Sequence, residues 1–141
     1  MIDKYFKEYE VRSEFSKEFI TLWNGWLGRE EIHKLDHVTK EEWERFNSLL
    51  RDINDHYQLF KVNREYTKYE PITEVESIID SYDYSMSKDS CHFTTLIIEE
   101  LDLVLEESWD YTWIIWHRNI ENIQLLEPLI KKNKLYNFND E

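Results

Sequence analysis

The stretch LDLVLEESWDYTWIIWH, residues 101–117, decides the fold of this chain. Apolar and acidic side chains alternate over residues 101–106, except at Val104, and this period of two is typical of a half-buried strand. Residues 107–110 have the composition of a turn, and residues 111–117 are rich in the aromatic and β-branched side chains that strands favour. The sequence therefore predicts an antiparallel hairpin here.

A helix is the alternative for the same region. Tryptophan and isoleucine side chains recur at steps of four and three from residue 109 to residue 123, as they do on one face of a helix. The chain also contains two glycines and two prolines, which favours an all-α bundle. We favour the hairpin because residues 113–116 are apolar on every side, which suits a central strand covered on both faces.

The regions on either side of this hairpin favour helices. Aromatic and leucine side chains in residues 3–27 are largely spaced by three and four, which predicts a first helix. Thr39 and Glu42 form a capping-box pattern that opens a second helix, and Asn119 is expected to cap a last one. The sequence also predicts an extended segment over 59–70, a short helix over 73–82, a turn-like segment over 83–90 and an edge strand over 135–138. We thus expect a helix-rich α+β fold with N-terminal helices and a small antiparallel hairpin or sheet in the C-terminal half.

Length and composition limit the class of protein. The 141 residues correspond to a single globular domain, 1–141, and 41% hydrophobic with 33% charged residues exclude a disordered or membrane-embedded chain. The longest wholly apolar run is residues 113–116, far below the roughly 18 residues of a membrane span. The N-terminus lacks the apolar region of a secretory signal, and Cys91 is the single cysteine. We therefore expect a cytoplasmic protein without disulfides or membrane contact.

The net charge of −13 is concentrated in one part of the chain. Residues 70–110 contain 12 acidic residues and one basic residue, Lys88. Like charges held together in a folded segment lower stability, and a common compensation is faster association with a basic partner. Direct nucleic-acid binding is disfavoured because phosphate contacts need clustered Lys and Arg. The candidate acidic binding face consists of Glu99, Glu100, Asp102, Glu106, Glu107 and Asp110.

The histidines offer a weak metal pattern. His33 and His37, with Asp36 between them, have the spacing of an inverted metalloprotease motif with Asp in place of Glu. They supply two ligands, His56 is the nearest further candidate, and catalytic zinc needs three ligands and a water. We therefore expect no metal site and no catalytic residues at these positions.

The remaining motifs also predict no cofactor and no catalytic group. The alternating polar residues from Asp83 to Asp89 fail as a calcium loop, because Lys88 and Thr94 stand where glycine and glutamate are needed. Cys91 and His92 are neighbours in sequence, where side chains point apart, so we expect a buried and inert cysteine.

The favoured function is that of a small, acidic, aromatic-rich protein-binding module rather than an enzyme. Its specific form would be an immunity or anti-defence inhibitor, of bacterial or phage type, that masks a basic enzyme acting on nucleic acid. Trp109, Trp113 and Trp116 are candidate aromatic anchors, because tryptophan is common at binding hot spots. Two alternatives remain open. One is a metal-dependent hydrolase using His33, His37 and His56, and the other is an oligomeric accessory subunit, such as a homodimer, with the three tryptophans as its interface.

Overall fold

The computed structural model describes residues 2–139 and is built around an antiparallel sheet. In chain order the strands are β1 (Phe6–Lys7), β2 (Glu10–Val11), β3 (Ser16–Thr21), β4 (Phe60–Val62), β5 (Tyr69–Pro71), β6 (Thr95–Ile98), β7 (Leu103–Ser108), β8 (Thr112–His117) and β9 (Tyr136–Phe138). Strands β1 and β2 form a small hairpin of their own. The other seven form one sheet in the order β5-β4-β6-β7-β8-β3-β9, which puts β7 at its centre.

The α-helices of the described residues are α1 (Lys40–His56), α2 (Tyr82–Ser87) and α3 (Ile120–Lys132). Short 3-10 turns cover Ile2–Lys4, Ile32–His37, Val75–Ile78, Ser90–His92 and Glu99–Leu101. The capping box of α1 is confirmed, since the Thr39 hydroxyl accepts from the Glu42 amide and the Glu42 carboxylate accepts from the Thr39 amide, both at 3.1 Å. Asn119 caps α3 by accepting from the Glu121 amide. None of the helices described within residues 2–139 is long and apolar enough to cross a membrane.

The hairpin at residues 101–117 is confirmed. Strands β7 and β8 pair over six residue pairs, from Leu103 with His117 to Ser108 with Thr112. One face of the sheet, carrying Leu105 and Ile115, packs against α1 and α3 in the main core. The other face carries Val104 in a second cluster, together with Tyr5 and other N-terminal aromatic residues. Val104 breaks the alternation because both faces of its strand are covered.

The helix-rich fold class is wrong, and so is the all-α alternative, because a seven-stranded sheet organises the chain. The predicted helix over residues 3–27 is replaced by β1, β2 and β3, and β3 pairs with β8 over five residue pairs. Glu8 and Tyr9 have positive φ angles and form the two-residue turn between β1 and β2, a conformation that a helix does not contain. Tyr9 and Trp26, which the helix would have buried, are 70% and 53% exposed. The aromatic residues of this region satisfy strand preference as well as helical spacing.

The segment between β5 and β6 also departs from expectation. The predicted helix over 73–82 is limited to the 3-10 turn Val75–Ile78, and the predicted turn-like segment holds α2, which Ser81 caps by accepting from the Tyr84 amide. The extended segment over 59–70 is confirmed in β4 and part of β5, and the C-terminal strand is confirmed as β9 at the sheet edge. Strong local signals, such as side-chain caps and strand-rich composition, therefore predicted these elements better than short apolar spacings.

We predict that Leu50→Ala lowers the free energy of unfolding by about 2–5 kcal/mol, since Leu50 is 4% exposed in the main core and truncation leaves a cavity. Chemical denaturation followed by fluorescence measures the change. Leu125→Ala is the matched control, because Leu125 is 53% exposed on α3 and should change stability by no more than about 0.5 kcal/mol. Equal effects of the two substitutions would contradict the packing of α1.

Candidate functional site

The candidate site lies at the end of the sheet where β7 turns into β8. The turn consists of Trp109, Asp110 and Tyr111, and the last two have φ angles of 58° and 57°. This left-handed conformation is uncommon for residues other than glycine and costs free energy, and such positions cluster at binding sites. Trp109 is 59% exposed, and its ring meets that of Phe93 at a centroid distance of 4.8 Å. The turn therefore presents a large aromatic side chain to solvent on a constrained backbone.

A cleft of about 360 Å³ adjoins this turn, and we call it the aromatic cleft. Six aromatic side chains and three carboxylates line it. They are Trp43, Phe46, Phe93, Trp109, Tyr111 and Trp113, with Asp36, Glu107 and Asp110. The Tyr111 hydroxyl lies 3.3 Å from the sulfur of Met86, another lining residue. Aromatic faces and carboxylates both attract cations, so this combination favours a cationic group over a neutral or anionic one.

A smaller and more apolar pocket of about 170 Å³ lies beside the aromatic cleft. Its lining includes Trp23, Trp26 and Ile32 as well as Trp109. Trp109 therefore borders both cavities. An exposed tryptophan between two concavities has the position that binding hot spots commonly take.

Lys88 is buried close to the aromatic cleft and holds two carboxylates. Its ammonium group donates to Asp80 Oδ2 at 2.5 Å and to Glu107 Oε1 at 2.7 Å, and its side chain is 2% exposed. The same Glu107 oxygen accepts from the Thr94 amide at 2.9 Å. Burial alone would lower the pKa of Lys88, but the hydrogen bonds and charges of Asp80 and Glu107 outweigh it and raise the pKa. We call this arrangement the Lys88 clamp.

The Lys88 clamp has an electrostatic consequence for the surface. Lys88 is the one basic residue among residues 70–110, which hold 12 acidic residues. Since its charge is buried and neutralised, every charged side chain that this segment presents to solvent is negative. The field around the aromatic cleft is therefore favourable to cations.

The six residues of the candidate acidic face are not brought together. Glu99, Glu100 and Asp102 lie at the 3-10 turn before β7, whereas Asp110 lies beyond its other end. A strand of six residues separates the two groups by about 20 Å. Glu106 and Glu107, within the strand, point to opposite faces of the sheet. Only Glu107 and Asp110 of the six line the aromatic cleft.

Several of these carboxylates have partners within the fold. Asp102 lies 2.7 Å from the Lys4 ammonium and accepts from the Tyr5 hydroxyl, and Glu100 accepts from the Gln58 amide. Glu106 accepts from the indole N–H of Trp116 on the sheet face opposite α1. Burial raises the pKa of Glu106, although this hydrogen bond and the charge of Lys17 partly offset the effect. These carboxylates therefore hold parts of the fold in place. Of the six candidate carboxylates, Asp110 is the exposed one beside Trp109.

The three candidate tryptophan anchors do not share a face either. Trp109 and Trp113 line the aromatic cleft, while Trp116 lies on the other side of the sheet, with the Lys17 ammonium 5.5 Å from its ring centroid. Trp43, Phe46, Phe93 and Asp36 also line the cleft, and the sequence did not predict them there. No local pattern relates them to Trp109, because distant parts of the chain bring them to it.

The histidine triad of the hydrolase hypothesis does not converge. His33 and His37 have ring centroids 6.2 Å apart in the turn before α1, and His56 is the last residue of that helix. The helix has 17 residues and is about 25 Å long, so the pair precedes its first turn and His56 ends its last one. Within residues 2–139, Asp89, Cys91 and His92 form the one cluster of potential metal ligands, with donor atoms within 4.8 Å of one another. The expectation of a buried cysteine is wrong, because Cys91 is exposed in the middle of the 3-10 turn Ser90–His92. Its side chain also does not point away from that of His92, since its sulfur lies 3.4 Å from His92 Nδ1.

Comparison of the chain with models of protein families, with curated proteins and with solved structures finds no match. Fold alone does not determine function, since one fold hosts many sites. The case for a function therefore depends on the aromatic cleft and the charges around it.

We predict that Glu106→Gln stabilises the protein at pH 7, because glutamine keeps an acceptor for the Trp116 indole and removes the charge that burial disfavours. The pKa of Glu106 is higher in the folded state than the unfolded value of about 4.3, so the native state binds more protons than the unfolded state. The stability of the wild type therefore falls as the pH rises through the folded pKa of Glu106. The difference between variant and wild type should therefore vanish near pH 4. Urea unfolding at the two pH values measures it, and a variant that is less stable at pH 7 would contradict the burial of this carboxylate.

Removal of the Lys88 charge should lower the stability of the protein, in contrast to Glu106→Gln. Lys88→Met keeps the apolar stem but leaves Asp80 and Glu107 without their cation, and loss of one partner of a buried ion pair costs about 3–5 kcal/mol. Lys61→Met, at an exposed lysine of β4, is the control and should be close to neutral. Equal stability of both variants at pH 7 would show that the Lys88 clamp contributes nothing to folding.

Proposed function

We propose that this chain is a protein-binding module that recognises a basic partner protein through the aromatic cleft. The observation that carries the proposal is the cleft itself, where six aromatic side chains and three carboxylates surround a space beside the exposed Trp109. A cleft of 360 Å³ is within the size range of specific binding pockets, about 300–1,000 Å³.

The group that fits this cleft best is an arginine or lysine side chain of the partner. A cation over an aromatic face gains about 0.5–2 kcal/mol, more when it is desolvated, and a carboxylate at the rim adds a charge-assisted hydrogen bond. Of the three carboxylates that line the cleft, Glu107 pairs with Lys88, while Asp36 and Asp110 are not part of the Lys88 clamp. Trp, Tyr and Arg are also the residues most enriched at interface hot spots, so an inserted arginine beside Trp109 is a strong combination.

The negative surface supports a more specific class of partner. A net charge of −13 accelerates encounter with a basic protein and repels nucleic acid. Enzymes that act on nucleic acid present basic grooves to the phosphates. We therefore propose a cytoplasmic inhibitor of the immunity or anti-defence kind, which covers such a groove and competes with its substrate.

A homodimer through Trp109 is less favoured than a basic partner. In a two-fold interface each surface patch meets its own copy, so Asp110 and its neighbouring carboxylates would face like charges. The aromatic cleft would then hold no cation. Sedimentation of the isolated protein distinguishes the two, because the proposal predicts a monomer and the subunit hypothesis a stable dimer.

We predict that a short arginine-rich peptide binds the protein, and that the same peptide with citrulline in place of arginine does not. Citrulline keeps the shape of the side chain but removes its charge. The double variant Asp36→Asn/Asp110→Asn should weaken arginine-peptide binding about tenfold at 0.15 M salt, and Trp109→Leu should weaken it further. Calorimetric titration measures the dissociation constants.

The matched control is Glu99→Gln/Glu100→Gln, which removes the same charge from the far end of β7. At 0.15 M salt the Debye length is about 8 Å, so this remote pair should have little effect. Equal loss of binding in the two double variants would mean diffuse electrostatic attraction without a site. Equal binding of the arginine and citrulline peptides would overturn the proposal.

A further inference from the structure

Asp89, Cys91 and His92 form a cluster of metal-ligating side chains that the proposed function does not use. They belong to the 3-10 turn Ser90–His92 and the residue before it. The Cys91 sulfur lies 3.4 Å from His92 Nδ1, and one donor atom from each of the three residues lies within 4.8 Å of the others. All three side chains are exposed, so an ion reaches them from solvent.

We propose that these three residues bind a zinc ion. Bond lengths of about 2.0–2.3 Å place neighbouring donors of a tetrahedral zinc site about 3.5 Å apart. The Cys91 sulfur and His92 Nδ1 have this spacing at 3.4 Å, and an Asp89 oxygen lies within 4.8 Å of both residues' donor atoms. One thiolate, one imidazole and one carboxylate form a mixed ligand set that suits zinc, whereas magnesium and calcium prefer oxygen ligands alone. Bound to the ion as carboxylate and thiolate, Asp89 and Cys91 would supply two negative charges, which balance the charge of the ion.

The turn that carries the ligands is fixed at both of its ends. Lys88 precedes Asp89 and Thr94 follows two residues after His92, and both donate to the same oxygen, Oε1 of Glu107. Within the turn, the His92 amide donates to the Asp89 carbonyl at 2.9 Å. The Lys88 clamp therefore closes the ligand-bearing loop, which lowers the entropy lost when the three side chains converge on an ion.

Three protein ligands leave the fourth position of a tetrahedral zinc open. Cys91 and His92 line a cleft of about 550 Å³ that is also bordered by Lys61, Arg64 and Tyr66. This cleft shares Lys88, Phe93 and Glu107 with the aromatic cleft. A water or a donor atom from a ligand in this cleft would complete the coordination. The site thus has the open character of a binding or catalytic zinc rather than that of a closed structural one.

The test is a calorimetric titration with zinc of the protein from which a chelator has removed any metal. We expect one equivalent with a dissociation constant of about 1 µM or below at pH 7.5. Cobalt, as a spectroscopic substitute, should give a thiolate charge-transfer band that Cys91→Ser abolishes. Cys91→Ser and His92→Gln should each weaken zinc binding by at least about a hundredfold.

His33→Gln/His37→Gln is the matched control, because these two exposed imidazoles lie close together outside the proposed site. It should bind zinc like the wild type. Binding that is weaker than about 100 µM, or that is lost in the control and kept in Cys91→Ser, would overturn the proposal. Cys91 lies outside the aromatic cleft, so Cys91→Ser should bind the arginine peptide like the wild type. The zinc proposal can therefore be contradicted without contradicting the proposed function, and the reverse also holds. Circular dichroism verifies that the variants fold.

Discussion

The Lys88 ammonium group, buried between Asp80 and Glu107, is the interaction on which the functional end of this protein depends. It ties the segment that contains α2 to the central strand β7, and through Glu107 it also closes the loop up to Thr94. Lys88 and Glu107 line both the aromatic cleft and the larger cleft beside Cys91. Buried ion pairs of this kind contribute little net stability relative to apolar residues. Here the pair determines where two cavities lie and leaves the surrounding surface with negative charge.

The sheet supplies the rigid base for this arrangement. Strands β7 and β8 are covered on one face by α1 and α3 and on the other by the N-terminal aromatic cluster. Because the turn between them projects from the centre of the sheet, Trp109 and Asp110 are presented on a fixed support. Sites built on such elements hold their geometry more accurately than sites on free loops.

The sequence predicted features that depend on neighbouring residues and missed those that depend on distant ones. The hairpin followed from alternation and composition within 17 residues, and the caps of α1 and α3 from patterns of two to four residues. By contrast, β3 forms because it pairs with β8 about 100 residues later, and nothing near Phe19 signals that partner. The same applies to the site, where Trp109 and Asp110 were candidates but Trp43, in α1, was not. Lys88 stood out in the sequence as the one basic residue of segment 70–110 and as a mismatch to a calcium loop. Its ion pairs were not predicted, because they depend on Glu107 being close in space.

The indole N–H signals of the six tryptophans can test directly whether a basic side chain binds in the aromatic cleft. Each indole N–H gives a separate signal in a two-dimensional ¹⁵N–¹H spectrum, which single Trp→Phe variants assign. During titration with the arginine-rich peptide, the account predicts that the signals of Trp43, Trp109 and Trp113 shift together along one binding curve. Trp116, whose indole N–H donates to Glu106 on the opposite face of the sheet, should stay in place. Equal shifts of all six signals, or shifts confined to Trp116, would contradict the account.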